Sequence, residues 1–216
     1  MRFPELIKAK FLKRINRFVG LVELRGETHT AYVRNTGRMA ELLSQGNTVY
    51  VSQKKDGKLG FEVVLAEYGS HLVCIDSSIA PKLYSEFINA PVRYEPSFGK
   101  VRFDLLWNGR PVEVKSVNLV RERIAMFPDA PTLRGKRHVE KLMELSREGY
   151  RPLIVFVVQR EDCDAFSPNW ELDRDFSDAL LSYANLNLEI KAYRCSVSLE
   201  EIKIKDEIPV KLEVFR

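Results

Sequence analysis

Arg102-Phe103-Asp104-Leu105-Leu106-Trp107-Asn108-Gly109-Arg110-Pro111-Val112-Glu113-Val114-Lys115 is the stretch on which the reading of this 216-residue chain turns. Asn-Gly between runs rich in aromatic and branched aliphatic residues signals a β-hairpin, because both residues tolerate the positive φ of a type I′ turn. A two-residue loop at Asn108-Gly109 fixes the register. Trp107 then opposes Arg110, Leu106 opposes Pro111, Leu105 opposes Val112, Asp104 opposes Glu113 and Arg102 opposes Lys115. Alternation along each strand puts Phe103, Leu105, Val112 and Val114 on an apolar face and Arg102, Asp104, Glu113 and Lys115 on the other.

Two carboxylates facing each other across a sheet are destabilising without a cation. A divalent metal is one candidate and Lys115 is another. Hard cations such as Mg²⁺ or Mn²⁺ take carboxylate oxygens, waters and phosphate oxygens. A lysine two residues beyond the glutamate points into the same site, placed to orient water or neutralise charge on a phosphate. The arrangement resembles the active-site hairpin of the PD-(D/E)xK nuclease superfamily, with Asp104, Glu113 and Lys115 as the matching residues. Glu95 or Glu86 is available as a further carboxylate, although each also reads as a surface residue. The four charges satisfy a second reading as well, a salt-bridge lattice on a solvated face.

The formal net charge of +4 permits a polyanionic partner without requiring one. Cys74, Cys163 and Cys195 are odd in number and widely spaced, against a disulfide framework or structural zinc. The first residues lack the apolar core of a signal peptide and no run approaches a membrane span, so a cytoplasmic protein without membrane contact is expected. There is no Walker A loop and no GxGxxG, which removes support for nucleotide-driven chemistry.

From Lys8 to Arg17 the chain carries Lys8, Lys10, Lys13, Arg14 and Arg17 and no acid. Short strands are expected at 18–24, 27–34, 48–53, 59–67 and 72–75, with turns that include Asp56-Gly57 and one helical turn at Met39–Leu43. This pattern suggests an OB-like β-barrel over 1–77. Asp76-Ser77-Ser78 caps a helix over 79–88 and opens a second domain, 78–216. Val92–Glu95 reads as a strand, and Ser116–Arg123 leads into a loop. Thr132 caps a helix over 133–148 whose buried stripe is Val139, Leu142, Met143 and Leu145. Arg134, Lys136, Arg137 and His138 crowd its first turns, where the helix dipole favours acids, and an anion-binding role explains the inversion. The apolar run Leu153–Val158 reads as a buried strand parallel to 112–117. A helix over 175–184 and a strand over 188–193 extend the pattern. The fold class is α/β (α+β): an OB-like barrel, then a PD-(D/E)xK nuclease-like α/β domain with a mixed central sheet.

Asn35-Thr36-Gly37-Arg38-Met39, Arg102-Phe103-Asp104, Val112-Glu113-Val114-Lys115-Ser116-Val117 and Phe127-Pro128-Asp129-Ala130-Pro131-Thr132-Leu133-Arg134-Gly135-Lys136-Arg137-His138 resemble segments of the sugar fermentation stimulation protein A family. The likeness runs from about Phe11 to beyond Ile190. It implies an OB-like domain joined to a nuclease-like domain, non-specific DNA binding and a regulatory link to sugar metabolism, especially maltose. Tyr32-Val33-Arg34 stands where the family tends to have His-Cys-Pro, and Asn118 where Thr is usual.

Three functions compete. In a Mg²⁺- or Mn²⁺-dependent deoxyribonuclease, Asp104 and Glu113, with Glu95 as a third carboxylate, hold the metal. Lys115 positions water, and Arg134 and His138 contact phosphate. In a DNA-binding regulator without catalysis, Arg14, Arg17, Arg34, Arg38, Lys54 and Lys55 carry the contact to single- or double-stranded DNA, with Arg102 and Lys136 beside the hairpin. A sugar-responsive module is the third. The oligomeric state is open, a homodimer included.

Overall fold

Alternation of apolar and polar residues draws the first third of the chain into a barrel in the computed structural model, which describes residues 1–54 and 59–213. Lys55 and the turn expected at Asp56-Gly57 lie outside the described residues. β1 (Leu6–Asn16), β2 (Val19–Leu24), β3 (Glu27–Val33), β4 (Thr48–Gln53), β5 (Phe61–Tyr68) and β6 (His71–Cys74) form one sheet in the order β3-β2-β1-β4-β5-β6. Parallel pairing of β3 with β5, from Ala31↔Phe61 to Val33↔Val63, closes five of these strands into a barrel of OB type. β6 extends it as the antiparallel neighbour of β5.

The basic run is itself the first barrel strand. Ala9 and Phe11 turn inward while Lys8, Lys10 and Lys13 point out. Register shifts against β2 at Phe11/Lys13 and Arg14/Asn16 bend the strand around the barrel. Gly20 is required where β2 passes Phe11, since a Cβ there would stand 2.7 Å from the ring. Met39, Leu42 and Leu43 fill the same core as Phe11 and Val51, on a turn in which the Leu43 N–H donates to the Met39 carbonyl at 2.8 Å.

Asp76 accepts from the Ser78 N–H and starts the short turn leading into α1 (Ala80–Ile88). There follow β7 (Arg93–Tyr94), β8 (Ser97–Phe98), β9 (Val101–Arg102), β10 (Leu105–Trp107), β11 (Arg110–Val117), β12 (Leu119–Arg121), β13 (Ile124–Phe127) and α2 (Leu133–Arg147). Then come β14 (Leu153–Val158), β15 (Ala165–Pro168), α3 (Arg174–Asn185), β16 (Glu189–Val197) and β17 (Ile202–Ile208). The central sheet runs β17-β16-β14-β11-β10-β7 and is mixed, with β11, β14 and β16 parallel. β11 and β14 pair from Val112↔Leu153 to Val117↔Val158, as expected from the sequence.

Every residue of β14 is buried. Ile154, Phe156 and Val158 share a core with α2 and α3, whereas Leu153, Val155 and Val157 share one with α1 and with Val64, Leu65 and Cys74 of the barrel. Each such side chain is worth roughly 1.5–3 kcal/mol when fully buried. One apolar layer therefore joins the barrel to the sheet.

The hairpin turns at Asn108 (φ 49°) and Gly109 (φ 74°), with Trp107↔Arg110, Leu106↔Pro111 and Leu105↔Val112 paired as expected. Upstream of Leu105 the ladder ends, and the expected pairing of Arg102 with Lys115 does not form. Arg102 lies in β9, which pairs with β8 in a separate small hairpin turning at Gly99. Phe103 consequently leaves the face of Leu105 and joins the α2 core. The loop expected after Ser116 is instead the hairpin β12–β13, which turns at Glu122 and Arg123, both at positive φ, and pairs in parallel with β15. The tail that carried no clear pattern forms β17, antiparallel to β16.

Candidate functional site

Glu113 sits mid-strand on β11, between β10 and β14, on the face covered by α2, and only 3% of it is exposed. Its Oε1 accepts from the Lys115 ammonium and lies 2.6 Å from His138 Nδ1. Arg134 Nε–H donates to His138 Nε2 at 3.3 Å, so the proton between His138 and Glu113 belongs to Nδ1. The Phe103 ring stands edge-on to His138 at 5.7 Å. Glu113 Oε2 is buried with no hydrogen-bond partner.

Asp104 does not face Glu113 as a simple cross-strand pair. Its carbonyl accepts from the Glu95 N–H at 2.9 Å, and its carboxylate Oδ2 takes the Val114 N–H at 2.7 Å. Burial, and then the neighbouring Glu113, push its pKa up to about 6, against the pull of Lys115. Burial alone would also raise Glu113, but Lys115 and His138 outweigh it, and that carboxyl is held below the usual range. The two acids are thus driven apart in pKa, a mark of functional sites.

Of the two cations the sequence left open, Lys115 is in place on Glu113. The residues also suit a divalent metal. An unsatisfied buried carboxylate oxygen is costly, and Glu113 Oε2, with the Asp104 oxygen not engaged by Val114, offers two hard donors to an ion that keeps waters as its other ligands. Glu95 is not a third: its carboxylate pairs with Arg102 at 3.1 Å, and both are well exposed. Glu86 pairs with the N-terminal amine at 3.4 Å. Among the described residues no three His, Cys, Asp or Glu side chains are grouped to hold a metal between them.

A cleft of about 550 Å³ opens beside the site. Lys115, Ser116 and Arg134 line it, facing Arg17, Thr36 and Gly37 from the barrel, and the 127–132 segment forms its lip. Two stretches remote in sequence meet here. Asp129 Oδ2 accepts the Met39 N–H at 2.6 Å, and a Cβ on Gly37 would lie 3.1 Å from the same carboxylate. Below them, Asn35 Nδ2 donates to Asn118 Oδ1 at 2.8 Å and to the Ile75 carbonyl at 2.9 Å, and Asn118 donates to the Cys74 carbonyl at 2.5 Å. Ser116 hydrogen-bonds Gln159, which donates in turn to the Asp76 carbonyl at 2.9 Å. None of these amide contacts is signalled by local sequence.

The basic residues expected at a DNA surface divide. Arg17 and Arg134 line the cleft. Arg14 instead donates to the carbonyls of Asn16, Arg17, Asn35, Gly37 and Arg38, which commits it to shaping the loop. Arg34 and Lys54 both pair with Glu62, at 2.7 and 3.2 Å, beside the Tyr32 ring. Arg38 is exposed and lines a different recess, with Glu41 and Arg121. Lys136 is turned toward α3 by an ion pair with Asp175 at 2.9 Å. His138, expected to contact phosphate, is bonded to Glu113.

Comparison with known proteins agrees with this architecture. Residues 12–75 match the SfsA N-terminal OB domain, and 73–201 match the sugar fermentation stimulation protein RE domain. The chain is 46% identical to a sugar fermentation stimulation protein homolog of Aquifex aeolicus, over 94% of this chain and 97% of that one. Against the homolog of Pyrobaculum neutrophilum it is 37% identical over 94% and 93%. The solved structure of Pyrococcus furiosus SfsA in complex with Ca²⁺ superposes with a TM-score of 0.86 at 30% identity, covering 98% of each chain. A barrel closed through β3 and β5, a mixed sheet with Glu113 and Lys115 on β11, and relatives matched over 93–98% of their length place this chain in the sugar fermentation stimulation protein family.

Proposed function

We propose that the protein is a divalent-metal-dependent nuclease that binds DNA without sequence preference and hydrolyses its phosphodiester bonds. The observation carrying this reading is the buried, unpartnered Glu113 Oε2 beside Asp104 and Lys115, next to a cleft lined by Arg17 and Arg134. Asp104 and Glu113 would hold Mg²⁺ or Mn²⁺, which when bound acidifies water and draws charge from a phosphate. The Ca²⁺ complex of the Pyrococcus furiosus relative supports a metal-binding role here. The remaining work belongs to the chain. Lys115 orients the attacking water and offsets charge developing on the phosphate. His138 fixes the Glu113 carboxylate, as outer hydrogen bonds commonly do for metal ligands. Arg134 and Arg17 grip phosphates from opposite walls, so binding weakens steeply with salt.

The test is calorimetric titration of Mg²⁺ and Mn²⁺ into wild type and the Asp104→Asn/Glu113→Gln variant, then incubation of both with plasmid and single-stranded DNA. Metal binding and cleavage in wild type, both lost in the variant, are expected. Intact DNA with wild type and every divalent metal would refute the proposal. One observation favours a second reading, a DNA-binding regulator of sugar metabolism, maltose included, without catalysis: the Lys115 ammonium already offsets the charge of Glu113, and His138 hydrogen-bonds the same oxygen. That reading predicts DNA binding that survives in the double variant, with no turnover in either protein.

A further inference from the structure

Resting on the nuclease reading, we infer that a second recess beside the site receives the terminal phosphate of a nucleic-acid strand, so that the substrate is taken by its end. The recess, about 410 Å³, lies between the β8–β9 hairpin and the first turns of α2, and Lys100, Arg102, Arg134, Arg137 and His138 line it. No acid is among the residues lining it. Glu95 touches Arg102 at 3.1 Å from outside, but Lys100, Arg134 and Arg137 form no ion pair with any described residue.

Several cations elsewhere on the molecule are matched by acids. Arg34 and Lys54 share Glu62, Lys136 holds Asp175, Arg123 holds Asp164 and Arg194 holds Asp206. Uncompensated like charges gathered round one concavity repel one another and raise the local positive potential. Three cations without a carboxylate partner exceed what the single charge of a phosphodiester would offset. They suit a phosphate monoester, which carries close to two charges at neutral pH and three strong acceptor oxygens. Two of the three are guanidinium groups, whose forked donors match phosphate oxygens in pairs.

Position fixes what such a phosphate would do. Arg134 lines this recess and also the 550 Å³ cleft, and it is tied through His138 to Glu113. A strand whose last phosphate occupies the recess therefore continues past Arg134 toward Lys115, and its neighbouring phosphodiester enters the cleft.

Binding in EDTA separates this inference from catalysis. Short fluorescent oligonucleotides carrying a 5′-phosphate, a 3′-phosphate or hydroxyls at both ends are titrated into wild type, K100Q/R137Q and, as a control for general charge, K10Q. Wild type is expected to bind one of the phosphorylated strands about tenfold tighter than the hydroxyl-ended strand, and the preferred end gives the polarity. K100Q/R137Q brings that affinity down to the hydroxyl level, whereas K10Q keeps the difference. Equal affinities in wild type, or a preference that survives in K100Q/R137Q or is lost equally in K10Q, would overturn the inference. Should the double variant fail to fold, the wild-type comparison decides alone. Cleavage without end preference would remove this inference and leave the nuclease reading standing, and end preference without cleavage would do the reverse.

Discussion

Glu113 is an unbalanced group, with one oxygen bonded twice and the other not at all. Its orientation depends on His138, so His138→Ala should lower Mg²⁺ or Mn²⁺ affinity about tenfold to a hundredfold while Asp104 and Glu113 remain in place. Unchanged affinity by calorimetry would show that the histidine only fills space. Asp104 carries a testable pH signature in the metal-free protein. Its folded pKa, about 6, lies above the ordinary carboxylate value of 3.8. Between these values the folded state keeps a proton that the unfolded chain has released, so stability falls as pH rises through the window and stays lower above it. Asp104→Asn keeps an acceptor for the Val114 N–H and removes the buried charge. It should stabilise the metal-free protein by about 1–3 kcal/mol at pH 8, and the gain should fade toward about pH 4. Urea melts in EDTA at the two pH values measure both. A gain of the same size at both would assign it to something other than this ionisation.

At the scale of elements, α2 begins where Thr132 accepts the Gly135 N–H at 3.0 Å. Thr132→Val removes that cap and should cost about 1 kcal/mol, a loss of the size thermal denaturation resolves. Gly20→Ala should cost about 1–3 kcal/mol by pressing on the Phe11 ring. An unshifted melting temperature would mean the ring yields freely. The elements that sequence reveals are those whose signals are local. The Asn108-Gly109 turn, the Thr132 cap and the unbroken apolar run at Leu153–Val158 each lie within a few residues, and with them came the parallel arrangement of β11 and β14. β1 was obscured because its inward residues, Ile7, Ala9 and Phe11, are few and lie among its cations. β12 and β13 were obscured because their stabilising partner, β15, lies beyond α2. The candidate site divides in the same way. Asp104, Glu113 and Lys115 are close in sequence, and alternation brought them together. The bond from His138 to Glu113, the diversion of Lys136 to Asp175 and the pairing of Glu95 with Arg102 depend on how α2 and the β8–β9 hairpin pack, which no periodicity encodes.

At the scale of the whole molecule, the barrel and the sheet share one apolar layer and one hydrogen-bonded chain, the amides of Asn35, Asn118 and Gln159 joined by the Ser116 hydroxyl. Asn118→Ala would leave the Asn35 amide and the Cys74 carbonyl buried without this partner and should cost about 1–3 kcal/mol. Because the layer is continuous, wild type should unfold in a single calorimetric transition. Two resolved transitions would show that the halves are energetically independent. The clasp of Asp129 on Met39 adds a constraint on how such proteins can be recombined. A chimera that takes its barrel from one relative and its sheet from another would have to carry Asn35, Gly37 and Met39 as a set matched to Asn118 and Asp129, because the mouth of the cleft is built by both parents and neither half alone supplies it.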